Sequence, residues 1–374
     1  MGQWWNNKDK IYSAAGEGVL VQNTVLLYRL YDVADEINLV LVEELLSVAK
    51  ATTRLRLSRI PTKSIDIENP PVSVELGEGT IELAGVDYKV GYLARVYDLG
   101  VVSVLMRILL PQEVNYELVK RIALDLEKES GYERHFSDRL GELKKTLAPA
   151  LVGKESNKLE EDFTVFFFTR WHDDWDPLPL LLGEEGPFSD WVRRDTLQNT
   201  FSYSPEDMII ITWDSALVFD SSGSTDLPDL LEFALSQLLE LRYYDGLLTA
   251  EMEKMYQELD LAARGRGFSR LRRYRRIMSR LMGLVAEVTD ITERIHNSIK
   301  VTEDIYYARI YSVALTLFRT RAWMDSIQRK VAVIQQNYSM LSDEIVTARA
   351  TWLEVAIVLL IALEIVLGLL QLLG

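Results

Sequence analysis

The chain has 374 residues, no cysteine and three histidines, with a formal net charge of −15. A chain of this length builds one large or two ordinary domains with well-buried cores, so it needs no disulfides or metals for stability. The missing cysteines exclude disulfides, thiolate catalysis and cysteine-ligated metal sites, and they fit a reducing compartment.

The charge is distributed unevenly along the chain. Residues 261–374 hold 16 Lys and Arg against 10 Asp and Glu, whereas the remainder holds 25 against 46. An acidic body is therefore joined to a mildly basic C-terminal part. Because an acidic surface repels nucleic acid and anionic lipid, we expect any contact with either in the basic part, and we expect no DNA partner.

The N-terminal two thirds predict a mixed fold. Residues 1–20 are predicted to be an N-terminal tail, without the apolar core of a signal peptide. Residues 21–225 are predicted to form an α+β body with a largely antiparallel sheet, because short strand-like runs are interleaved with helical patterns. Helices are predicted at 35–49, at "PQEVNYELVKRIALDL" and at "GYERHFSDRL". The predicted strands are "VLLYRLYDV", "TTRLRLS", "VSVEL", "TIEL", "DYKVGYLARVYDLGVVSVLMRILL", "FTVFFFTRW" and the hairpin pair "MIIITW" and "ALVFD".

The body offers little material for catalysis. The run "WHDDWDP" places His172 beside Asp173, Asp174 and Asp176, a set that suits a divalent cation only if further ligands converge there. Consecutive acidic residues in a loop are more often simply solvated. The Gly-x-Gly pairs lack the third glycine of a dinucleotide loop, and neither a Gly-Lys-Ser/Thr nor a Gly-x-Ser-x-Gly motif occurs. We therefore predict no catalytic, cofactor-binding or metal-binding residues and no enzymatic activity.

Long amphipathic patterns follow the body. Residues 226–260 are predicted to form a connecting helix, and residues 268–350 a coiled-coil-like helical hairpin that acts as a stalk, folded near "KVTED". No Pro or Gly interrupts residues 301–367, which predicts one continuous helix from the stalk into the C-terminal segment. The first apolar seam comprises Leu271, Tyr274, Met278, Leu281, Val285, Val288, Thr292, Ile295 and Ile299. The second comprises Tyr306, Ile310, Val313, Leu317, Met324, Ile327, Val331, Ile334, Tyr338, Leu341, Ile345, Ala348 and Trp352.

An arginine-rich segment opens the stalk. Its arginines neutralise the acidic body or another acidic protein surface, bind RNA or a ribosome, or bind anionic lipid. In a straight hairpin folded near "KVTED", Arg264 is expected beside residue 339, about 18 Å before Thr351. That distance weighs against lipid, since the Debye length is ~8 Å. The segment holds eight arginines and no acidic residue: Arg264, Arg266, Arg270, Arg272, Arg273, Arg275, Arg276 and Arg280.

Residues 351–374 are predicted to be a C-terminal transmembrane anchor. Between Val355 and Leu373, 14 of 19 residues are Leu, Ile or Val, and such a helix spans roughly 28 Å, close to the hydrocarbon thickness of a bilayer. The alternative is a helix fully buried in a soluble bundle. Because Arg349 precedes the segment, the positive-inside tendency places the body in the cytoplasm, with a bacterial inner membrane as the expected location.

The apolar segment also carries carboxylates. Glu364 lies at its middle, where a carboxylate without a partner would lose its hydration. Polar and small residues repeat there every seven positions, and membrane helices associate along such faces. The pattern predicts a homo-oligomer or heteromer; the alternative is a Glu364 bonded to its own backbone. The residues predicted to associate in the membrane are Glu354, Ile361, Glu364, Gly368 and Gln371.

Three stretches together resemble a known family: "YDLGVVSVLMRI", "LLEFALSQLLELRYYDGLL" and the run from "IYYARIYSVALTLFRTRAW" to "LEIVLGLL". They are similar to the family named for a yeast protein required for meiotic nuclear division, with sporulation-related, mitochondrial and bacterial members. The most specific element is Leu353 and Glu354, an apolar run, and Glu364. The resemblance implies a C-terminal membrane helix preceded by helices. "KVTEDIYYARIY" departs from the Thr-Pro-Asp-aromatic-Trp-Glu segment of eukaryotic members and indicates a bacterial branch.

These features favour a membrane-anchored scaffold or assembly protein that oligomerises through its stalk and membrane helix. One alternative is a membrane tether that binds RNA or ribosomes through residues 264–280. Another is an enzyme with a site in the α+β body, near residues 172–176.

Overall fold

A computed structural model describes residues 20, 22–47, 52–54, 69–111, 113–128, 132–153, 159–263, 268–298 and 304–373. The predicted N-terminal tail therefore lies almost wholly outside the described residues, as does most of "TTRLRLS". The chain divides into two compact units. The body unit comprises Met1–Tyr243 and Arg294–Ala322, and the helical unit comprises Tyr244–Glu293 and Trp323–Gly374.

The body unit is built on one large β-sheet. Nine strands form it in the order β3-β4-β5-β6-β1-β8-β11-β10-β9, and β2 pairs separately with β7. Neighbouring strands are antiparallel except β8 and β11, which are parallel. This arrangement confirms the predicted α+β class. The strands are β1 Thr24–Asp32, β2 Glu36–Ile37, β3 Thr52–Arg54, β4 Val72–Leu83, β5 Val86–Val96, β6 Val101–Leu109, β7 Leu151–Val152, β8 Glu160–Phe168, β9 Thr200–Phe201, β10 Asp207–Ile211 and β11 Ser215–Asp220.

The described helices lie between the strands and after them. Asn115 caps α2 by accepting a hydrogen bond from the backbone N–H of Leu118, which satisfies one of the open donors at the start of that helix. The helices are α1 Leu39–Ser47, α2 Tyr116–Leu126, α3 Glu133–Leu147, α4 Leu178–Leu182, α5 Asp190–Leu197, α6 Asp226–Ala263, α7 Phe268–Ser298, α8 Ile305–Leu317 and α9 Thr320–Leu373.

Apolar side chains are buried on both faces of the sheet. In β1, Val25 and Leu27 belong to a core that also contains residues of α1–α4. The alternate residues Leu26 and Leu30 are buried as well, and successive side chains of a strand point to opposite faces. The first part of α6 covers that second face, since Phe233 lies 6.4 Å from Tyr97 between ring centroids. Two-sided burial explains why six of the nine residues of β1 are apolar.

Three helical segments pack together in the helical unit: the part of α6 from Tyr244 onward, α7, and α9. Asp245 of α6 accepts hydrogen bonds from Ser326 (2.6 Å) and Lys330 (2.7 Å) of α9. Glu258 of α6 accepts two hydrogen bonds from Arg280 of α7, each 3.0 Å. Tyr244 contacts Glu287, so α7 runs antiparallel to α6.

The structure corrects the predicted register of the stalk. Arg270, in the first turn of α7, forms an ion pair with Glu344 of α9. The first turn of α7 therefore lies beside Glu344 of α9, whereas the predicted hairpin, with Arg264 beside residue 339, would put Arg270 near residue 333. The prediction treated residues 305–317 as part of the stalk, but these residues form α8, which belongs to the body unit.

The predicted continuous helix over residues 301–367 is also wrong. Helix α8 ends at Leu317, and Arg319 adopts a positive φ of 55° before α9 begins at Thr320. A left-handed residue ends a helix even without Gly or Pro, although it is uncommon for a residue with a side chain. The 54 residues of α9 still form a helix about 80 Å long.

Burial along α9 changes abruptly. Ile327, Ile334, Leu341 and Ile345 are buried at the predicted seam positions. From Arg349 to Gly368, by contrast, every residue is exposed. The seam is therefore buried up to Ile345 and half-buried at Ala348, whereas the residues from Arg349 to Gly368 are exposed.

Candidate functional site

The exposed end of α9 is the first functional feature. Within the described residues, Thr320–Gly368 contains the one helix long and apolar enough to cross a membrane, by length and composition. Leu359 and Leu360 are each 65% exposed. An exposed apolar surface of this extent marks a site of membrane or protein interaction. The segment is compatible with a single membrane span.

The predicted association residues lie along this exposed helix. Glu354, Ile361 and Gly368 are seven residues apart, and Glu364 lies between the last two. Each of the four is exposed, and a Cβ added to Gly368 would meet nothing within 4 Å. The side chain of Gln371 lies outside the described residues. The proposed contact between membrane helices stays a prediction.

A cleft of about 920 Å³ lies between the beginning of α7 and the residues of α9 that precede the apolar segment. We call it the arginine cleft. Four guanidinium groups come from two adjacent pairs on α7, and a fifth comes from α9. Its lining comprises Leu271, Arg272, Arg273, Arg275, Arg276, Arg349, Trp352 and Leu353.

The other arginines of the segment have different surroundings. Arg270 pairs with Glu344, and Arg280 pairs with Glu251 and Glu258. Hydrogen bonding from Arg280 lowers the pKa of Glu258 below its usual range. Both arginines therefore have partners within the helical unit, while Arg264 and Arg266 lie outside the described residues.

The cleft arginines differ from Arg270 and Arg280 in their surroundings. Arg272, Arg273, Arg275 and Arg276 are exposed on α7, and Arg273 donates one long hydrogen bond to the carbonyl oxygen of Leu261. Across the described part of the chain, none of the five cleft arginines forms an ion pair. Neutralisation by acidic groups of the same chain therefore accounts for Arg270 and Arg280. Of the cleft arginines, Arg276 contributes more weakly than Arg280 to the lowered pKa of Glu258.

Sequence reasoning missed a buried charged cluster in the body unit. Arg95 of β5 contacts Asp229 of α6 at 2.6 Å and also pairs with Glu232. These side chains are 7%, 4% and 0% exposed, respectively, so the ions are withdrawn from water. Burial raises the pKa of Glu232, and Arg95 opposes that effect. Burial lowers the pKa of Arg95, but the two carboxylates outweigh it and raise the pKa well above its usual range.

These ion pairs connect α6 to strand β5 of the sheet. Tyr28 and Tyr97 lie close enough for burial and the charges of Glu232 and Asp229 to raise their pKa values. The sequence does contain a signal for the cluster. In "DLPDLLEFALSQLLEL", Asp229 and Glu232 stand three positions apart within a leucine-rich helix, and this spacing puts both on one face of the helix.

The run "WHDDWDP" has a structural role. Trp171 and Trp175 pack against Phe168 at centroid distances of 5.4 and 5.8 Å. Asp176 accepts two hydrogen bonds from Arg193, at 3.0 and 2.8 Å, which lower its pKa. Asp173 and Asp174 are exposed. Among the described residues, no group of three or more His, Asp or Glu side chains converges as metal ligands would.

Comparisons with known proteins bear on the body. The family model described as "Uncharacterized protein MJ0711, N-terminal domain" matches residues 22–225. The uncharacterized protein MJ0711 of Methanocaldococcus jannaschii is 24% identical over 248 residues, covering 63% of this chain and 72% of that protein. No solved structure matches. The comparisons support an uncharacterised family, and the resemblance to the meiotic nuclear division family stays a prediction.

Proposed function

This chain belongs to the MJ0711 N-terminal domain family, and we propose that it is a membrane-anchored assembly protein. Its α+β body is attached, through the helices that follow residue 225, to a membrane spanned by the apolar end of α9. One observation carries the proposal: the residues from Arg349 to Gly368 are exposed along the whole segment although most are apolar. A bilayer removes such a surface from water at a gain of about 25 cal/mol per Å².

Assembly is the finer part of the proposal. Glu364 lies within the exposed apolar surface, and intramembrane carboxylates usually face a partner rather than lipid. A second copy of α9 offers that partner along the stripe that contains Glu354, Ile361 and Gly368. The resemblance to the meiotic nuclear division family supports this proposal, since its mitochondrial members are inner-membrane proteins thought to form large assemblies that support translation.

Two parts of the proposal rest on sequence pattern. Arg349 before the apolar segment favours a cytoplasmic location for the body. The departure of "KVTEDIYYARIY" from the eukaryotic pattern favours a bacterial-type branch and hence an inner membrane. We propose no enzymatic activity, metal or cofactor.

A tether for RNA or ribosomes is the second candidate function. The observation that favours it is the set of cleft arginines that form no ion pair with any described residue, which suits a phosphate backbone. Such binding would weaken steeply as salt rises, because counterions compete for the guanidinium groups. Binding that is insensitive to salt would contradict it.

The Glu364→Leu substitution tests assembly. We expect the full chain extracted in mild detergent to form a smaller oligomer, while membrane attachment is unchanged or stronger because an apolar residue replaces a polar one. Size is measured by light scattering coupled to chromatography. Ile357→Leu, on the same segment but chemically conservative, is the control. An unchanged oligomer in the Glu364→Leu variant would remove Glu364 from the assembly.

A further inference from the structure

The arginine cleft lies where a lipid headgroup would be if α9 spans a membrane. We propose that this cleft binds the phosphate group of an anionic lipid headgroup. The inference rests on the proposed membrane span and adds a ligand class and the residues that hold it: Arg272, Arg273, Arg275 and Arg276 of α7 with Arg349 and Trp352 of α9.

The position along α9 supports the assignment. Arg349 precedes Thr351 by two residues, or about 3 Å of helix. The headgroup layer on each side of a bilayer is roughly 5–7 Å thick, so Arg349 falls within it when the span begins near Thr351. Trp352 lies at the same level, where tryptophan is enriched at the membrane interface.

The register of α7 brings further positive charge to this level. The pair between Arg270 and Glu344 aligns the beginning of α7 with the last protein-covered turns of α9. Helix α7 runs antiparallel to α9, so Arg272, Arg273, Arg275 and Arg276 lie progressively farther from Thr351 than Arg270 does. They nevertheless line the same cleft as Arg349 and Trp352, and the cleft therefore extends from these arginines to the start of the proposed span.

The chemistry of the lining fits a phosphodiester or phosphomonoester. Guanidinium groups bind phosphate oxygens through paired, charge-assisted hydrogen bonds. The volume of about 920 Å³ exceeds what a single phosphate ion needs and accommodates a headgroup with its glycerol. Leu271, Trp352 and Leu353 add apolar lining. A cleft that combines these features at the start of an apolar helix favours lipid over RNA.

Native mass spectrometry of the full chain in mild detergent tests the inference. The protein is titrated with phosphatidylglycerol or phosphatidylcholine, and the fraction carrying lipid is measured. We expect phosphatidylglycerol to bind about tenfold more tightly, because both headgroups carry a phosphate but the cleft arginines repel the choline cation of phosphatidylcholine. Equal binding of the two lipids would overturn the proposal.

Two variants that each lose four positive charges test whether the preference for phosphatidylglycerol depends on the cleft. The cleft variant is Arg272→Gln, Arg273→Gln, Arg276→Gln and Arg349→Gln. The control variant replaces four arginines that are exposed elsewhere: Arg121→Gln, Arg134→Gln, Arg321→Gln and Arg329→Gln. We expect the cleft variant to lose the preference for phosphatidylglycerol and the control to keep it. Equal losses in both would show a general charge effect and overturn the site.

Two further measurements distinguish a lipid phosphate from free phosphate, and lipid from RNA. Inorganic phosphate at millimolar concentration should not displace phosphatidylglycerol; if it does so fully, the cleft is a soluble-phosphate site. Single-stranded RNA that binds through the same arginines, with no lipid preference, would overturn the assignment in favour of RNA. If the cleft variant does not keep the thermal midpoint of the unaltered chain, the double variant Arg276→Gln and Arg349→Gln replaces it.

The outcome is separable from the proposed membrane anchoring. Retention of the unaltered chain in membranes after an alkaline carbonate wash tests the span alone. Lipid preference in detergent tests the cleft alone. A retained chain without lipid preference contradicts only the headgroup site.

Discussion

At the scale of single residues, we expect the stability of the fold to be most sensitive to the ion cluster of Arg95, Asp229 and Glu232. Removal of one partner from a buried ion pair typically costs 3–5 kcal/mol, because the remaining charge stays buried without compensation. Replacement of the whole set by residues of similar volume is often nearly neutral. The cluster is therefore sensitive to partial rather than complete removal.

We expect Arg95→Leu to lower the free energy of unfolding by about 3–5 kcal/mol. Without Arg95, burial raises the pKa of Glu232 further, so the loss should be greater at pH 8 than at pH 5. The measurement is a urea titration of the full chain in detergent. Arg193→Leu is the control, because Arg193 and its partner Asp176 are 44% and 33% exposed, and we expect it to cost about 1 kcal/mol or less. Equal losses in the two variants would contradict a special role for the cluster.

At the scale of elements, the sequence pattern predicted individual strands and a hairpin. It did not predict which turns of two helices pack against each other. The alternation in "DYKVGYLARV" and the spacing of "MIIITW" and "ALVFD" predicted strands and a hairpin, which β5, β10 and β11 confirm. "VSVEL" and "TIEL" belong to one strand, β4. The register shifts between Glu75 and Gly77, but β4 remains paired with β5 on both sides of the shift. The register of α7 against α9 was beyond prediction, because an apolar seam shows that a helix packs but not against which turn of its partner.

The link between α6 and α7 gives a pH prediction. Arg280 lowers the pKa of Glu258. A carboxyl group whose pKa is lower in the folded state stabilises the fold above its unfolded pKa of about 4.3, and that contribution is lost as the pH falls through the folded value. We expect Arg280→Gln to lower the thermal midpoint at pH 7, and the difference from the unaltered chain to shrink below about pH 4.

Arg329→Gln serves as the control for this effect, because Arg329 is exposed on α9 and forms no ion pair among the described residues. Its thermal midpoint should match that of the unaltered chain at both pH values. A difference for Arg280→Gln that is the same at pH 7 and pH 3.5 would show that Arg280 acts through packing and not through Glu258.

At the scale of the whole molecule, family membership and anchoring belong to different parts of the chain. The family match ends at residue 225, and α6 begins at Asp226. The arginine cleft and the exposed apolar segment both lie after that point. The similarity to MJ0711 covers a larger share of this chain than residues 22–225 represent, so it extends past the matched domain. Sequence composition predicted the apolar segment, but the cleft depended on the register of α7 and α9.

The central claim is that the apolar end of α9 anchors the chain in a membrane. The most direct test compares the full chain with a version that ends at Ala350, by carbonate wash of membranes followed by size determination. The account predicts that the full chain stays in the membrane and, once extracted, is an oligomer, whereas the shortened chain is soluble and monomeric. A full chain that is soluble and monodisperse without detergent would contradict it.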